Sequence, residues 1–342
     1  MRLVQYTPEH FEALQAAAPA FGASSTLGHR SFVDGYYATR PWSRLFLLFN
    51  EDGKLDGTIG LEQMRFEADG RELVLGFGNN FNALTPGAGG LLFMHWLKSS
   101  GAGIVFGGSP HTHKITRARQ WTYAPDVPVL TLNPDYAPAR DEGVLKGAAK
   151  AVLRTVTRRP LGRFADRIGP EYAGLEVHEE TRYTDDLRPK RSPFALRFAP
   201  SLEHLAWRYD TGLAFTRYRL FRILRGGASV GYVVINDSPA RLIVAHADAD
   251  DAPTLARAML LAILAVGRDD REPRSALLTT LHTAMRPVFE AFGFKQTGTR
   301  SLAFGTLKGA LAVPADYDHY GVDFDWGDNG LRRPFRDGTA LE

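Results

Sequence analysis

A chain that places a strand, a glycine turn, an apolar helix and a second strand in that order builds a βαβ unit, and residues Glu72 to Pro110 do so. Glu72-Leu-Val-Leu-Gly-Phe-Gly78 reads as the first strand, Asn79, Asn80 and Asn82 as a polar break, and Thr85-Pro-Gly-Ala-Gly-Gly90 as the turn. Leu91-Leu-Phe-Met-His-Trp-Leu97 reads as the helix and Gly103-Ile-Val-Phe-Gly-Gly-Ser109 as the second strand. Glycine lets backbone N–H groups approach an anion with no Cβ in the way. The helix that follows offers unpaired donors and a partial positive charge. Gly87, Ala88, Gly89 and Gly90 are therefore expected to cradle an anionic cofactor; a turn that merely caps a buried helix is the plainer alternative. A dinucleotide fingerprint is disfavoured, because Gly-x-Gly-x-x-Gly counted from Gly87 puts Leu92 where the third glycine belongs.

The length of 342 residues suggests two domains of roughly 150 residues each. With no cysteine, thiolate metal sites, disulfides and cysteine nucleophiles are excluded. A formal charge of +3 gives no argument for nucleic acid. The N-terminus turns polar within a few residues, unlike a signal peptide. The longest aliphatic run, Ala258 to Val266, is about half of a membrane span. A soluble, cytoplasmic protein is expected.

Two halves share one rhythm. In the first, Thr7-Pro-Glu-His opens a helix, a second helix covers Arg30 to Tyr37, and strands follow at Leu45 and from Leu55 to Phe66. Glu67-Ala-Asp-Gly70 turns the chain into the strand at Glu72. In the second, a helix starts at Ser201, strands follow at Tyr218, Ser229 and Arg241, and an apolar helix runs from about Pro253 to Val266. The strand at Ala276, the helix through Phe292 and the strand at Ser301 complete it.

This repeated pattern, with Pro86-Gly-Ala-Gly-Gly90 before Leu91-Leu-Phe-Met94 and Gly231-Tyr-Val-Val234 before Phe289-Glu-Ala-Phe-Gly-Phe294, resembles the GCN5-related N-acetyltransferase (GNAT) superfamily in tandem. The resemblance implies an α/β fold of two GNAT-like domains, each a mixed, mostly antiparallel sheet flanked by helices. It places them at 1–135 and 196–312; the arginine-rich residues between them read as a basic linker over 136–195, and Tyr317, Tyr320, Phe324 and Trp326 suggest a tail over 313–342 that packs on the body. It also implies acetyl-CoA or another acyl-CoA as co-substrate and a small amine or amino sugar as acceptor. Gln or Arg usually stands three residues before the first glycine of the family's turn; here it is Leu84. A FemAB-like aminoacyl transferase using aminoacyl-tRNA and a catalytically silent scaffold are the alternatives.

Acyl transfer to an amine needs a base, oxyanion donors and an acid for the departing thiolate. Glu62, midway along a strand, is the candidate base, and Tyr123 the candidate acid. Backbone N–H groups at Asn79, Asn80 and Phe81 are the candidate oxyanion donors. The second half instead reads His246-Ala-Asp-Ala-Asp-Asp251 before its helix, and Asp248, Asp250 and Asp251 would repel a diphosphate. That copy is expected not to hold CoA. His246 reads as a core histidine more than as a base.

His111 and His113 have the spacing of a metal pair but no third ligand follows. Asp316, Asp318, Asp323, Asp325 and Asp328 lack the order of a calcium loop, so no metal is expected. In the linker, Lys146, Lys150, Arg154 and Arg158 repeat every fourth residue, with Arg159, Arg163 and Arg167 following. They read as a solvated helix edge or as a contact for an anionic surface. Without interleaved aromatics, specific nucleic-acid recognition is disfavoured.

Overall fold

The computed structural model describes residues 1–22, 25–134, 144–212, 216–239 and 241–326. Asp328 and the side chain of Arg154 lie outside the described residues. In chain order the first half supplies β1 (Arg2–Gln5), β2 (Ser43–Phe49), β3 (Leu55–Ala68), β4 (Arg71–Ala83), β5 (Ala102–Phe106), β6 (Thr122–Tyr123) and β7 (Val127–Leu132). The remainder supplies β8 (Leu175–Glu180), β9 (Leu196–Phe198), β10 (Tyr218–Arg225), β11 (Ala228–Asp237), β12 (Arg241–Ala249), β13 (Ser275–Thr279), β14 (Lys295–Arg300), β15 (Leu302–Thr306) and β16 (Gly309–Ala310). Among the described residues these build a nine-stranded and a seven-stranded mixed sheet, both flanked by helices. The β3–β4 hairpin turns on Asp69 and Gly70, both left-handed (φ +47° and +74°), which is the two-residue turn that matches strand twist.

The sheets do not part at residue 135. β7 leaves the first half and pairs with β13 and β14 of the second sheet. β15 crosses back and pairs with β5 of the first. Each half thus lends a strand to the other, and the backbone ladders themselves tie the halves together.

The helices are α1 (Phe11–Ala17), α2 (Arg30–Val33), α3 (Ala88–Ser100), α4 (Pro110–Ala118), α5 (Val144–Thr157), α6 (Leu202–Arg208), α7 (Ala252–Gly267) and α8 (Arg286–Phe292). α7, apolar on nearly every face, is buried on nearly every face against the second sheet. α5 carries Lys146 and Lys150, but the cationic edge read from the sequence does not continue past it. Arg158 donates to the carbonyl of Pro273 at 2.6 Å, and Arg167 to that of Phe292 at the end of α8. Arg167 thereby caps α8, as cations near a helix C-terminus do, and Arg158 holds the loop before β13. The segment after β16 returns between the halves and buries Tyr320, Val322, Phe324 and Trp326.

Candidate functional site

β4 and β5 run parallel and pair only at Gly76↔Gly103 and Phe77↔Ile104 before they diverge. On its other edge β4 is bulged. Gly60 pairs with Asn79 and Thr58 with Asn82, so Asn80 and Phe81 together oppose Ile59. Asn80 takes φ +43° to allow this. A cleft of about 390 Å³ opens in the splay, walled by Gly78, Asn79 and Phe81 of β4, Phe93 and Trp96 of α3, and Val105 and Phe106 of β5. Ser109 and Thr112 at the start of α4, Arg300 and Trp326 complete the lining.

The bulge is held from behind. A single π-helical turn, Asp34–Ala38, follows α2 and presents Tyr36 and Tyr37, and such turns are frequent at functional sites. The Tyr37 hydroxyl donates to Asn79 Oδ1 at 2.6 Å and accepts from Asn80 Nδ2 at 2.7 Å. Asn79 Nδ2 donates to the Tyr36 hydroxyl at 3.4 Å. Gly60 makes room for this: a Cβ there would stand 1.8 Å from Asn79 Oδ1 and 2.7 Å from Tyr37 Oη. Gly60→Ala is expected to lower stability by about 1–3 kcal/mol, measured by urea unfolding, because it evicts the Asn79 amide that shapes the cleft wall.

The glycine turn sits at the N-terminus of α3 and is open. Gly87 is left-handed (φ +92°), and a Cβ on Gly87 or Gly90 would meet nothing within 4 Å. A Cβ on Gly89 would sit 3.5 Å from Ala83 and 3.6 Å from Phe81, so the turn adjoins the cleft through Phe81. The N–H groups of Gly89 and Gly90 meet no backbone acceptor among the described residues. Ala88 is buried beneath them. Leu84 is 44% exposed, and the Thr85 hydroxyl donates to Asp56 at 2.5 Å.

Glu62 and Tyr123 are both engaged by neighbouring side chains. Glu62 is fully buried and already committed. Tyr36 donates to its Oε2 at 2.5 Å, and Arg208 Nε to its Oε1 at 3.0 Å, with His204 Nε2 3.3 Å away. Burial raises its pKa, but the Arg208 guanidinium, His204 and Tyr36 outweigh it and hold the carboxyl at about 2. A carboxylate so stabilised is a poor proton acceptor. Glu62 anchors α6 to β3 and is not among the residues that line the cleft.

Tyr123 is absent from the cleft lining. Its hydroxyl is 2.5 Å from Thr116 Oγ1 and 3.1 Å from His113 Nδ1, both on α4. It is turned onto α4. His113 is thereby engaged as well, and no cluster of metal-ligating side chains occurs among the described residues. His246 is buried between the Tyr232 hydroxyl and Asp323, each at 2.8 Å, as a satisfied core histidine should be.

The corresponding splay of the second half is filled. Phe194, Val322 and Phe324 pack into it and leave about 20 Å³. Val322 is fixed there by Thr279, whose hydroxyl donates to its carbonyl at 2.7 Å. Asp251 caps α7 by accepting from Thr254 N, and Asp250 accepts from the backbone of Lys190 and Arg191. Asp248 pairs with Arg197. The carboxylates that crowd this corner in the sequence occupy it in the fold.

No family model and no curated protein matches this sequence. Solved structures do. A GCN5-related N-acetyltransferase from Anabaena variabilis ATCC 29413 aligns over 89% of this chain and 72% of its own, with a TM-score of 0.54 and 10% identity. A conserved protein of unknown function from Enterococcus faecalis V583, described as a probable N-acyltransferase, aligns over 90% and 73%, with a TM-score of 0.55 and 8% identity. A tandem GNAT protein from the clavulanic acid biosynthesis pathway aligns over 89% of this chain and 98% of its own, with a TM-score of 0.54 and 14% identity. The match spans both halves. The fold is that of a tandem GNAT protein. In this chain the first half has an open splay and an open glycine turn, and the second has neither. No helix among its described residues is long and apolar enough to cross a membrane.

Proposed function

We propose that this protein is an acyl-CoA-dependent N-acyltransferase acting on a small amine or amino sugar in a cytoplasmic setting, with the first half as its only coenzyme site. The observation that carries this reading is the open corner at Gly87–Gly90, next to a splayed cleft that the second half has lost. The residues fit the coenzyme. The N–H groups of Gly89 and Gly90 at the start of α3 suit a diphosphate. Phe81, Phe93 and Trp96 offer an apolar wall for its arm. When bound, acyl-CoA supplies an activated thioester. Asn79 and Phe81, on the bulged edge of the cleft, are the nearest backbone to serve its carbonyl oxygen.

A thermal shift with acetyl-CoA tests the site. At 100 times Kd, binding stabilises by about 2.7 kcal/mol, which raises Tm. Gly89→Asp is expected to abolish that rise, because its carboxylate enters the space a diphosphate would take. The fold should persist, since its Cβ contacts are ordinary and an acid at a helix start is favourable. An unchanged rise in the variant would remove the site.

A binding module without chemistry is the second reading, favoured by one observation: no carboxylate or imidazole is among the residues lining the cleft. Thiol release on mixing acetyl-CoA with a panel of amines separates the two readings.

A further inference from the structure

We infer that Arg300 makes the cleft selective for a carboxylate, carried either on the transferred acyl group or on the amine acceptor. The inference rests on the acyltransferase reading for the identity of the substrates, but not for the existence of the anion site.

Arg300 stands where the chain crosses between sheets. It is the last residue of β14, paired with Val127, and β15 begins two residues later opposite Phe106. The strand exchange therefore delivers a side chain of the second half into the cleft of the first. That side chain lies across the turn after β5. A Cβ on Gly107 would stand 3.5 Å from Arg300 Nη1 and 3.6 Å from its Cδ. Gly107 and Gly108 are both left-handed, and the Gly107 N–H is bonded to the Ser301 carbonyl at 2.7 Å, so the turn and the arginine are held together. The guanidinium carbon is 5.9 Å from the ring centroid of Phe324.

Among the described residues the charge has no counter-ion. Arg300 is half-buried, yet its side chain has no ion pair or hydrogen bond among those residues, and no Asp or Glu among them lines the cleft. Arg197, Arg208, Arg222 and Arg274 each hold at least one carboxylate. Withdrawing a guanidinium from water without a partner is costly, and a ligand anion offsets that cost. The planar fork of arginine matches a carboxylate with two parallel bonds. A coenzyme phosphate is the less suitable partner, because the glycine turn adjoins β4 through Phe81 while Arg300 lies on the β5 wall.

The test uses the full chain as wild type, Arg300→Gln and Arg300→Lys, each first shown to be folded by circular dichroism. Free succinate probes the guanidinium without coenzyme. Succinate, but not succinamide, should stabilise the wild type; Arg300→Gln should bind it at least about tenfold more weakly, with Arg300→Lys between. A wild-type preference for succinyl-CoA over acetyl-CoA of about 10- to 100-fold, erased in Arg300→Gln, assigns the carboxylate to the acyl group. The acceptor source is read by thiol release under saturating acetyl-CoA, with amino acids compared to their decarboxylated amines. There, a KM raised by Arg300→Gln for the amino acid alone, at unchanged kcat, assigns the carboxylate to the acceptor.

Equal responses to succinate and succinamide, or a succinate response that survives in Arg300→Gln, overturn the inference. So does loss of the acetyl-CoA shift in a folded Arg300→Gln, which would give the side chain to the coenzyme phosphates. A wild type that binds succinate through Arg300 but ignores acetyl-CoA sinks the acyltransferase reading and leaves the carboxylate site standing.

Discussion

Arg208→Met is expected to cost about 3–5 kcal/mol of stability, read as a lower urea midpoint. Arg208 is buried at the end of α6 and serves two carboxylates. Its Nε donates to Glu62 Oε1 at 3.0 Å, its Nη2 to the Asp325 carbonyl at 3.1 Å, and its Nη1 is 3.5 Å from Asp325 Oδ2. Tyr36 and Tyr209 lie within 6 Å of the guanidinium, at 5.9 and 5.2 Å. Methionine fills much of the same space, so the loss measures charge more than volume. What remains is Glu62 in a closed interior with only Tyr36 and His204 beside it. The double variant Arg208→Met/Glu62→Gln should recover more than about 1 kcal/mol of the loss, because the stranded carboxylate is gone. A single-variant loss below about 1 kcal/mol would contradict a fold pinned through this arginine.

That arrangement shows what the sequence carries and what it does not. Local signals were readable. Asp69-Gly70 dictates a hairpin, Pro86-Gly87 opens α3, and the apolar circumference of α7 requires burial on every side. These depend on residues within one turn or one helix of each other. Glu62 could be singled out as a carboxylate midway along a strand, but its burial could not be read. Its partners, His204 and Arg208, lie more than 140 residues away on a helix with an ordinary pattern. The same distance hides the strand exchange. Ser301-Leu-Ala-Phe304 reads as a strand, but nothing in a two-residue period tells which sheet a strand joins, and Val127–Leu132 is not singled out at all. Arg300 follows from the exchange and was equally invisible.

The candidate site divides along the same line. The glycine turn and the polar break are local: Asn79 lines the cleft, Asn80 is bonded behind it to Tyr37, and the turn adjoins the cleft through Phe81. The acid–base assignments to Glu62 and Tyr123 needed tertiary contacts, and both side chains prove to be spent on the protein's own scaffold. The aromatic spacing of Tyr317, Tyr320, Phe324 and Trp326 announced a tail that packs inward. Its role as filler of the second splay depends on Phe194 and Thr279, which no spacing rule connects to it.

Asp325→Asn should make the protein more stable at pH 8 by about 2–4 kcal/mol, and should flatten its pH dependence above about pH 6.5. Two carboxylates share the Arg208 guanidinium, and Glu62 has the better geometry. Burial, with the Glu62 and Asp323 charges adding to it, raises Asp325 to about 7 despite Arg208 and the Tyr218 hydroxyl at 3.1 Å. Its Oδ1 has no hydrogen-bond partner among the described residues. The folded state therefore keeps a proton that the unfolded chain releases near the ordinary aspartate value of about 3.9. A folded pKa raised above the unfolded one stabilises fully below about pH 4, and that stabilisation is lost as pH rises through about 7. Asp248, raised to about 6 by burial against the pull of Arg197, adds the same sign over a window that closes earlier. Glu62, depressed to about 2, loses its contribution only below about pH 4.5 and leaves the neutral range alone. His95 and His282, which burial holds below their ordinary value, act in the opposite sense up to about pH 6.5; from there to pH 8 the wild-type urea midpoint should fall with Asp325. Asparagine keeps the shape and an acceptor for Tyr218 without a charge to bury. A wild-type midpoint that stays level from about pH 6.5 to 8, or an Asp325→Asn variant with the same slope, would show that this carboxyl is ionised throughout and that Arg208 neutralises both of its partners.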